Sequence, residues 1–291
     1  MNSRARTIGA ALMLCALSIC AFGAANASAV GLTAVKCVKE VGVHKYNSAE
    51  CLTPAISGEF ETVALAKGVT TEIEGQATTN EHGLGKTNEA EPAKSTKVAL
   101  FKATASGLAI EITCSKTTGS GKVTNEEIEI EEEIEKGKFI TVPIMAAHGT
   151  EAVVTYTECH ASLQSDTTKV CKVQGTAPAT AVGTIQTNPL TGINIGTEHQ
   201  VEIKPEGALP FTAFTILKES TPNCFTKANV SMGVTGSVIA IANTTTHSHL
   251  TYEPATNGSK FLANGAAASF EATTTFWMKG APTELVGGET F

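Results

Sequence analysis

Few side chains in this 291-residue sequence offer chemistry, and their types are unevenly chosen. Eight are cysteines. Cys15 and Cys20 lie in the N-terminal segment, leaving Cys37, Cys51, Cys114, Cys159, Cys171 and Cys224. An even set in an exported chain reads as three disulfides. Zinc sites favour close Cys-x-x-Cys pairs, and the sequence has none. Chain neighbours close the simplest loops, which predicts Cys37–Cys51 and Cys159–Cys171. Cys114 then pairs with Cys224 by elimination.

Acids and bases are equally skewed. Asp166 is the only aspartate beside 27 glutamates, and Arg4 and Arg6 are the only arginines. Glu126 to Glu135 reads E-E-I-E-I-E-E-E-I-E. In a strand, Glu127, Glu129, Glu131, Glu133 and Glu135 share one face, with Ile128, Ile130, Ile134 and Glu132 on the other. Such a face offers hard oxygen ligands to calcium, but it lacks the Asp, Asn and Gly mixture of calcium loops. The run therefore reads as the solvated face of a protruding hairpin whose like charges deter edge pairing.

His247 and His249 point the same way in a strand, yet two ligands do not close a metal site. Gly83-Leu84-Gly85-Lys86-Thr87 mimics the end of a phosphate loop, but Asn80 stands where the first glycine belongs. No Gly-x-Ser-x-Gly elbow occurs. A Ser-His-Glu set assembled in space stays open, because triads are recognised by geometry. Neither cofactor nor metal ligands are assigned. Trp277, next to Phe276, is the sole tryptophan and the candidate ligand surface, although a core anchor is the plainer role.

The elements that position these residues read as strands. Leu108, Ile110, Ile112 and Cys114 alternate with Ala109, Glu111 and Thr113, the period of a half-buried strand. Val98–Phe101, Phe139–Val142, Val153–Cys159, Val201–Ile203, Phe211–Leu217, Val234–Ala242 and Ser269–Met278 add further β-rich runs. Threonine occurs 42 times, and β-branched side chains suit a pleated surface. Turn signals fall between the runs at Gly119-Ser120-Gly121, Asn188–Gly192, Asn257-Gly258 and Asn264-Gly265. The expected fold is all-β: an antiparallel sandwich or barrel-like body, disulfide-stabilised, after an N-terminal signal helix.

Arg4 and Arg6 precede an apolar stretch from Ala10 to Ala21 and small-residue cleavage sites ending at Ala27 or Ala29. That is a secretory signal over residues 1–29, too short for a membrane span of roughly 20 residues. No later stretch is apolar enough to span. Removing the signal leaves 19 lysines against 28 acids, a net charge of −9, which disfavours nucleic acid as a partner. Residues 30–291 are expected to form one domain. It comprises an N-terminal disulfide-closed piece (30–75), a polar loop (76–94), the main β body (95–280) and a tail (281–291).

Ile112-Thr113-Cys114-Ser115-Lys116-Thr117-Thr118-Gly119-Ser120-Gly121 is followed by Val154–Cys159, Ile185–Thr191 and Val234–Ile239. In that order these pieces resemble a group of uncharacterised, secreted, cysteine-containing proteins of bacteria, over roughly residues 108 to 242. The glutamate-rich stretch departs from that group. The resemblance implies a β protein of the cell envelope or extracellular space and brings no assigned activity.

The expectation is a non-enzymatic, exported structural or interaction protein with a cell-surface protein or glycan as partner. Its alternatives are a glycan-binding module centred on Trp277 and an extracellular hydrolase with a spatially assembled Glu/His site.

Overall fold

Threonine and valine at alternating positions favour extended backbone, and the chain answers with strands throughout. The computed structural model describes residues 32–47, 54–78, 99–195, 200–243, 249–252, 260–278 and 285–287. The signal segment, the Gly83–Thr87 run, the Asn257-Gly258 turn, Cys51 and His247 lie outside the described residues.

In chain order the strands begin with β1 (Leu32–Tyr46), β2 (Pro54–Ala64), β3 (Thr70–Thr78), β4 (Ala99–Ala105), β5 (Leu108–Cys114), β6 (Lys116–Glu135) and β7 (Lys138–Thr157). They continue with β8 (His160–Leu163), β9 (Asp166–Ala177), β10 (Ala179–Val182), β11 (Ile185–Gln186), β12 (Leu190–Asn194), β13 (Gln200–Pro205) and β14 (Thr212–Ile216). The last are β15 (Val230–Thr235), β16 (Val238–Asn243), β17 (His249–Tyr252), β18 (Leu262–Ala263), β19 (Ala266–Ala267), β20 (Ser269–Met278) and β21 (Leu285–Gly287).

Of the two architectures expected, the barrel holds. β3 pairs with β6, β6 with β7, β7 with β12, β12 with β13 and β13 with β16. β16 pairs with β17, β17 with β20, and β20 returns to β3, so the circuit closes with every pairing antiparallel. The first half of β20 instead pairs with β4. From there β5, β8, β9, β14, β15, β18 and β19 follow in hydrogen-bonded order.

The core is aromatic at its centre. Phe261 stacks edge-on against Phe101 and Phe211 with centroids at 5.8 and 5.0 Å, and Tyr156 meets Phe270 in the same way at 5.8 Å. These rings come from segments far apart in sequence, so their burial ties those segments together. A cavity of about 40 Å³ remains among Phe101, Ile112, Tyr156, Phe211 and Phe261. An apolar cavity that admits benzene is roughly 150 Å³, so this one is a packing gap.

Two disulfides are described, and they correct the predicted pairing. Cys114 bonds Cys159, and Cys171 bonds Cys224. The register gives the reason. Thr113 pairs with His160, so the next residues outward, Cys114 and Cys159, face each other with Cα atoms 4.0 Å apart. Cys171 pairs with Ala161, away from Cys159. The loop after β14 folds over Cys171 instead: Leu217 donates to the Lys172 carbonyl at 2.9 Å and Lys172 donates to Ser220 Oγ at 2.8 Å. That brings in Cys224. The proposed Cys37–Cys51 bridge lies outside the described residues.

Several sequence boundaries move. Thr70–Thr78, divided by sequence between the N-terminal piece and the polar loop, is a barrel strand. Leu285–Gly287, read as tail, pairs with Leu32–Ala34 of β1, and β1 pairs with β2 to make a three-stranded sheet. Gly119 and Gly121 sit inside β6 and make no turn. A Cβ on Gly121 would stand 2.9 Å from Ala152 Cα, so the close approach of the β7 bulge at Glu151 and Ala152 needs the glycine. Leu190–Gly192, read as part of a turn, belongs to β12. Asn264-Gly265 turns as expected, with φ of 47° and 80° between β18 and β19. Glu111, placed by the alternation on the face opposite Ile110 and Ile112, is buried as well, in a strand flanked by β4 and β8.

Candidate functional site

The barrel wall is uniform except where β6 and β7 leave it. Both strands are 20 residues long, yet β3 accompanies β6 only to Thr124 and β12 accompanies β7 only from His148. Beyond those points, among the described residues, the two strands continue paired to each other alone, from Glu126↔Ala146 to Glu135↔Lys138. The glutamate run thus lies on a projecting ribbon, as its alternation predicts.

Cross-strand partners share a face. Ile128 lies with Ile144, Val142 and Ile140 on one face, while Glu127, Glu129 and Glu131 lie with Met145, Pro143 and Thr141 on the other. Near the barrel Ile144 is buried, but toward the tip Ile134, Phe139 and Ile140 are 54%, 59% and 43% exposed.

At the root of the ribbon Asn125 is fully buried. Its side-chain oxygen accepts from the Ala34 N–H at 2.8 Å, and its amide nitrogen donates to the carbonyls of Ala34 and Leu65, both at 2.9 Å. One side chain therefore fastens the N-terminal sheet to the barrel. Sequence reasoning missed it. The available signal was a residue with low strand propensity inside a strand, where its side chain must be bonding backbone.

Beside it, three strands contribute a hydroxyl–imidazole–carboxylate line. His148 Nε2 lies 2.9 Å from Thr191 Oγ1, and Nδ1 lies 3.1 Å from Glu126 Oε2. This is the spatial set that sequence left open, with threonine in place of serine. Thr191 donates its hydrogen to the Gly149 carbonyl at 3.0 Å, so toward His148 it offers a lone pair. In that arrangement the imidazole donates to the hydroxyl, the reverse of a base that takes a nucleophile's proton. The line bridges β6, β7 and β12 where the ribbon emerges, and its effect there is to brace.

Among the described residues Asp166 pairs locally, with Thr168 and Lys169, and with no histidine. Its carboxylate accepts from the Thr168 hydroxyl at 2.6 Å and from the Thr168 N–H at 3.2 Å. Those bonds, the hydroxyl's foremost, with help from Lys169, hold it below the usual carboxylate range. Trp277 lies in β20 opposite Glu74, and His249 lies in β17 opposite Thr275; of their side chains only this backbone placement is described. Among the described residues no three His, Cys, Asp or Glu side chains gather as metal ligands would. No helix among them is long and apolar enough to cross a membrane.

Fold and bridges define the class: an all-β, disulfide-bonded barrel carrying a projecting ribbon. Comparison with protein-family models, characterised proteins and solved structures finds no match.

Proposed function

We propose that the protein is an exported, non-enzymatic interaction protein of the cell envelope or extracellular space, and that the β6–β7 ribbon is the part it presents to a partner. The observation that carries this reading is the exposure of Ile134, Phe139 and Ile140 at the ribbon's end. Fully covering an aliphatic or phenyl side chain of this size is worth roughly 1.5–3 kcal/mol. A chain that leaves three of them in water on a two-stranded projection has a surface that gains by being covered. The buried Asn125 clamp and the His148 line support the same reading, since both stiffen the root from which the ribbon projects. A signal segment and disulfides agree with export.

The test is site-specific photocrosslinking in living cells expressing the full chain. A photoreactive residue replacing Phe139 is expected to give discrete adducts that the same probe at Val182, which is 51% exposed elsewhere on the barrel, does not give. No adduct at position 139, or the same adducts at both positions, overturns the proposal.

A further inference from the structure

The two long edges of the ribbon differ, and the difference selects a partner. The Gly68 N–H donates to the Asn125 carbonyl at 2.9 Å, so the backbone polar groups of Asn125 face the outer edge of β6. Backbone direction alternates along a strand, so the N–H and C=O groups of Glu127, Glu129 and Glu131 face that edge too. Among the described residues no strand is paired with it beyond Asn125.

The outer edge of β7 is blunted. Pro143 lies opposite Glu129, so its nitrogen, which carries no hydrogen, falls where an outward donor would be. An added strand would therefore lack a bond at the middle of the β7 edge and lack none along β6.

The chain itself shows what sits on the β6 edge. Lys67 forms an isolated parallel bridge with Asn125, and its ammonium lies 2.9 Å from the Glu127 carboxylate. A lysine held in a tight turn, closed by the Val69 N–H donating to the Ala66 carbonyl at 3.0 Å, thus occupies the first position before the chain enters β3. Beyond it, Glu129 and Glu131 are exposed on the same face and have no cationic partner among the described residues. A second copy of β6 on this edge would set glutamates against glutamates, which is unfavourable.

We infer that the outer edge of β6, from Glu127 to Glu131, is a strand-addition site for an extended, lysine- or arginine-bearing segment of another protein, continuing the contact that Lys67 begins. Main-chain bonds supply the attachment, and the glutamate column selects basic side chains at alternate positions. This rests on the reading of the ribbon as the presented element.

The test uses the full chain and a fluorescein-labelled decapeptide alternating lysine and threonine, followed by fluorescence anisotropy at low salt. Saturable binding is expected. It should weaken at least tenfold in Glu129→Pro, which removes an outward N–H and leaves the β6–β7 ladder intact. A comparable loss is expected in the double variant Glu129→Gln/Glu131→Gln, and with a peptide whose alternate backbone nitrogens are methylated. Circular dichroism and melting of each variant verify that it is folded. Amide exchange at Glu127, Glu129 and Glu131 should slow when the unmodified peptide binds. Equal binding of the methylated peptide, unchanged binding by folded Glu129→Pro, or no saturable binding overturns the inference, as does concentration-dependent dimerisation that the peptide reverses. If crosslinks at position 139 persist while the peptide fails, strand addition alone is wrong.

Discussion

Asn125 meets the backbone of Ala34 at both of its polar groups, accepting from the N–H and donating to the C=O across a sequence gap of 91 residues. A side-chain amide here does what a neighbouring strand does in a ladder. The arrangement joins β1 to a barrel whose strands, among the described residues, do not pair with it.

Replacing Asn125 with Leu therefore strands two buried backbone groups, the Ala34 N–H and the Leu65 carbonyl, while the Ala34 carbonyl keeps the Leu65 N–H at 2.9 Å. Each unsatisfied group costs about 1–3 kcal/mol, so a loss on the order of 3 kcal/mol is expected from urea titration. Limited proteolysis should reach residues 32–65 before it reaches the barrel. Asn125→Asp should fare no better near neutral pH, because a carboxylate cannot donate to the carbonyls of Ala34 and Leu65.

Non-reducing peptide mapping should recover Cys114 joined to Cys159 and Cys171 joined to Cys224. The sequence separations are 45 and 53 residues. In the chain-entropy picture each bridge then contributes about 4 kcal/mol. Cys114→Ala/Cys159→Ala and Cys171→Ala/Cys224→Ala should lower stability by similar amounts.

Gly236 turns β15 into β16 with φ of 98°, and a Cβ there would overlap the Lys260 carbonyl oxygen at 1.7 Å. Gly236→Ala is expected to cost about 3 kcal/mol or more, since neither the backbone angle nor the space accepts it. Gly233→Ala, whose Cβ would come no nearer than 3.6 Å to Asn264 Oδ1, should stay within about 1 kcal/mol of the parent. Thermal melting of the pair checks both.

The pH dependence at Asp166 has a defined sign. Its folded pKa is depressed, so its stabilising contribution is complete above the ordinary carboxylate pKa and is lost as pH falls through the lower folded value. Thr168→Val removes the leading cause and should raise the titration midpoint of the single aspartate, read by carboxyl NMR. The stability gap between parent and variant should narrow on acidification.

Local patterns were legible in the sequence, and long-range partners were not. The alternation through Glu126–Glu135 announces a two-faced strand, and Asn264-Gly265 announces its turn, because each depends on adjacent residues. The choice between Cys159 and Cys224 as partner of Cys114 depends on which strand lies beside β5, and only the Thr113–His160 register decides it. Glu126, His148 and Thr191 likewise meet only after β6, β7 and β12 are side by side. Glycine misled where it permits a bulge, at Gly121, since its composition signal is that of a turn.

The wall shuts by laying Thr275–Met278 against Ile73–Gln76, a junction between segments far apart in sequence. Joining such distant pieces is entropically expensive and slow. A nascent chain holding everything up to β19 still has an open seam, with the edges of β3 and β17 awaiting the same strand. Completion of the barrel thus waits for β20, and a chain cut short before residue 269 would leave both borders bare.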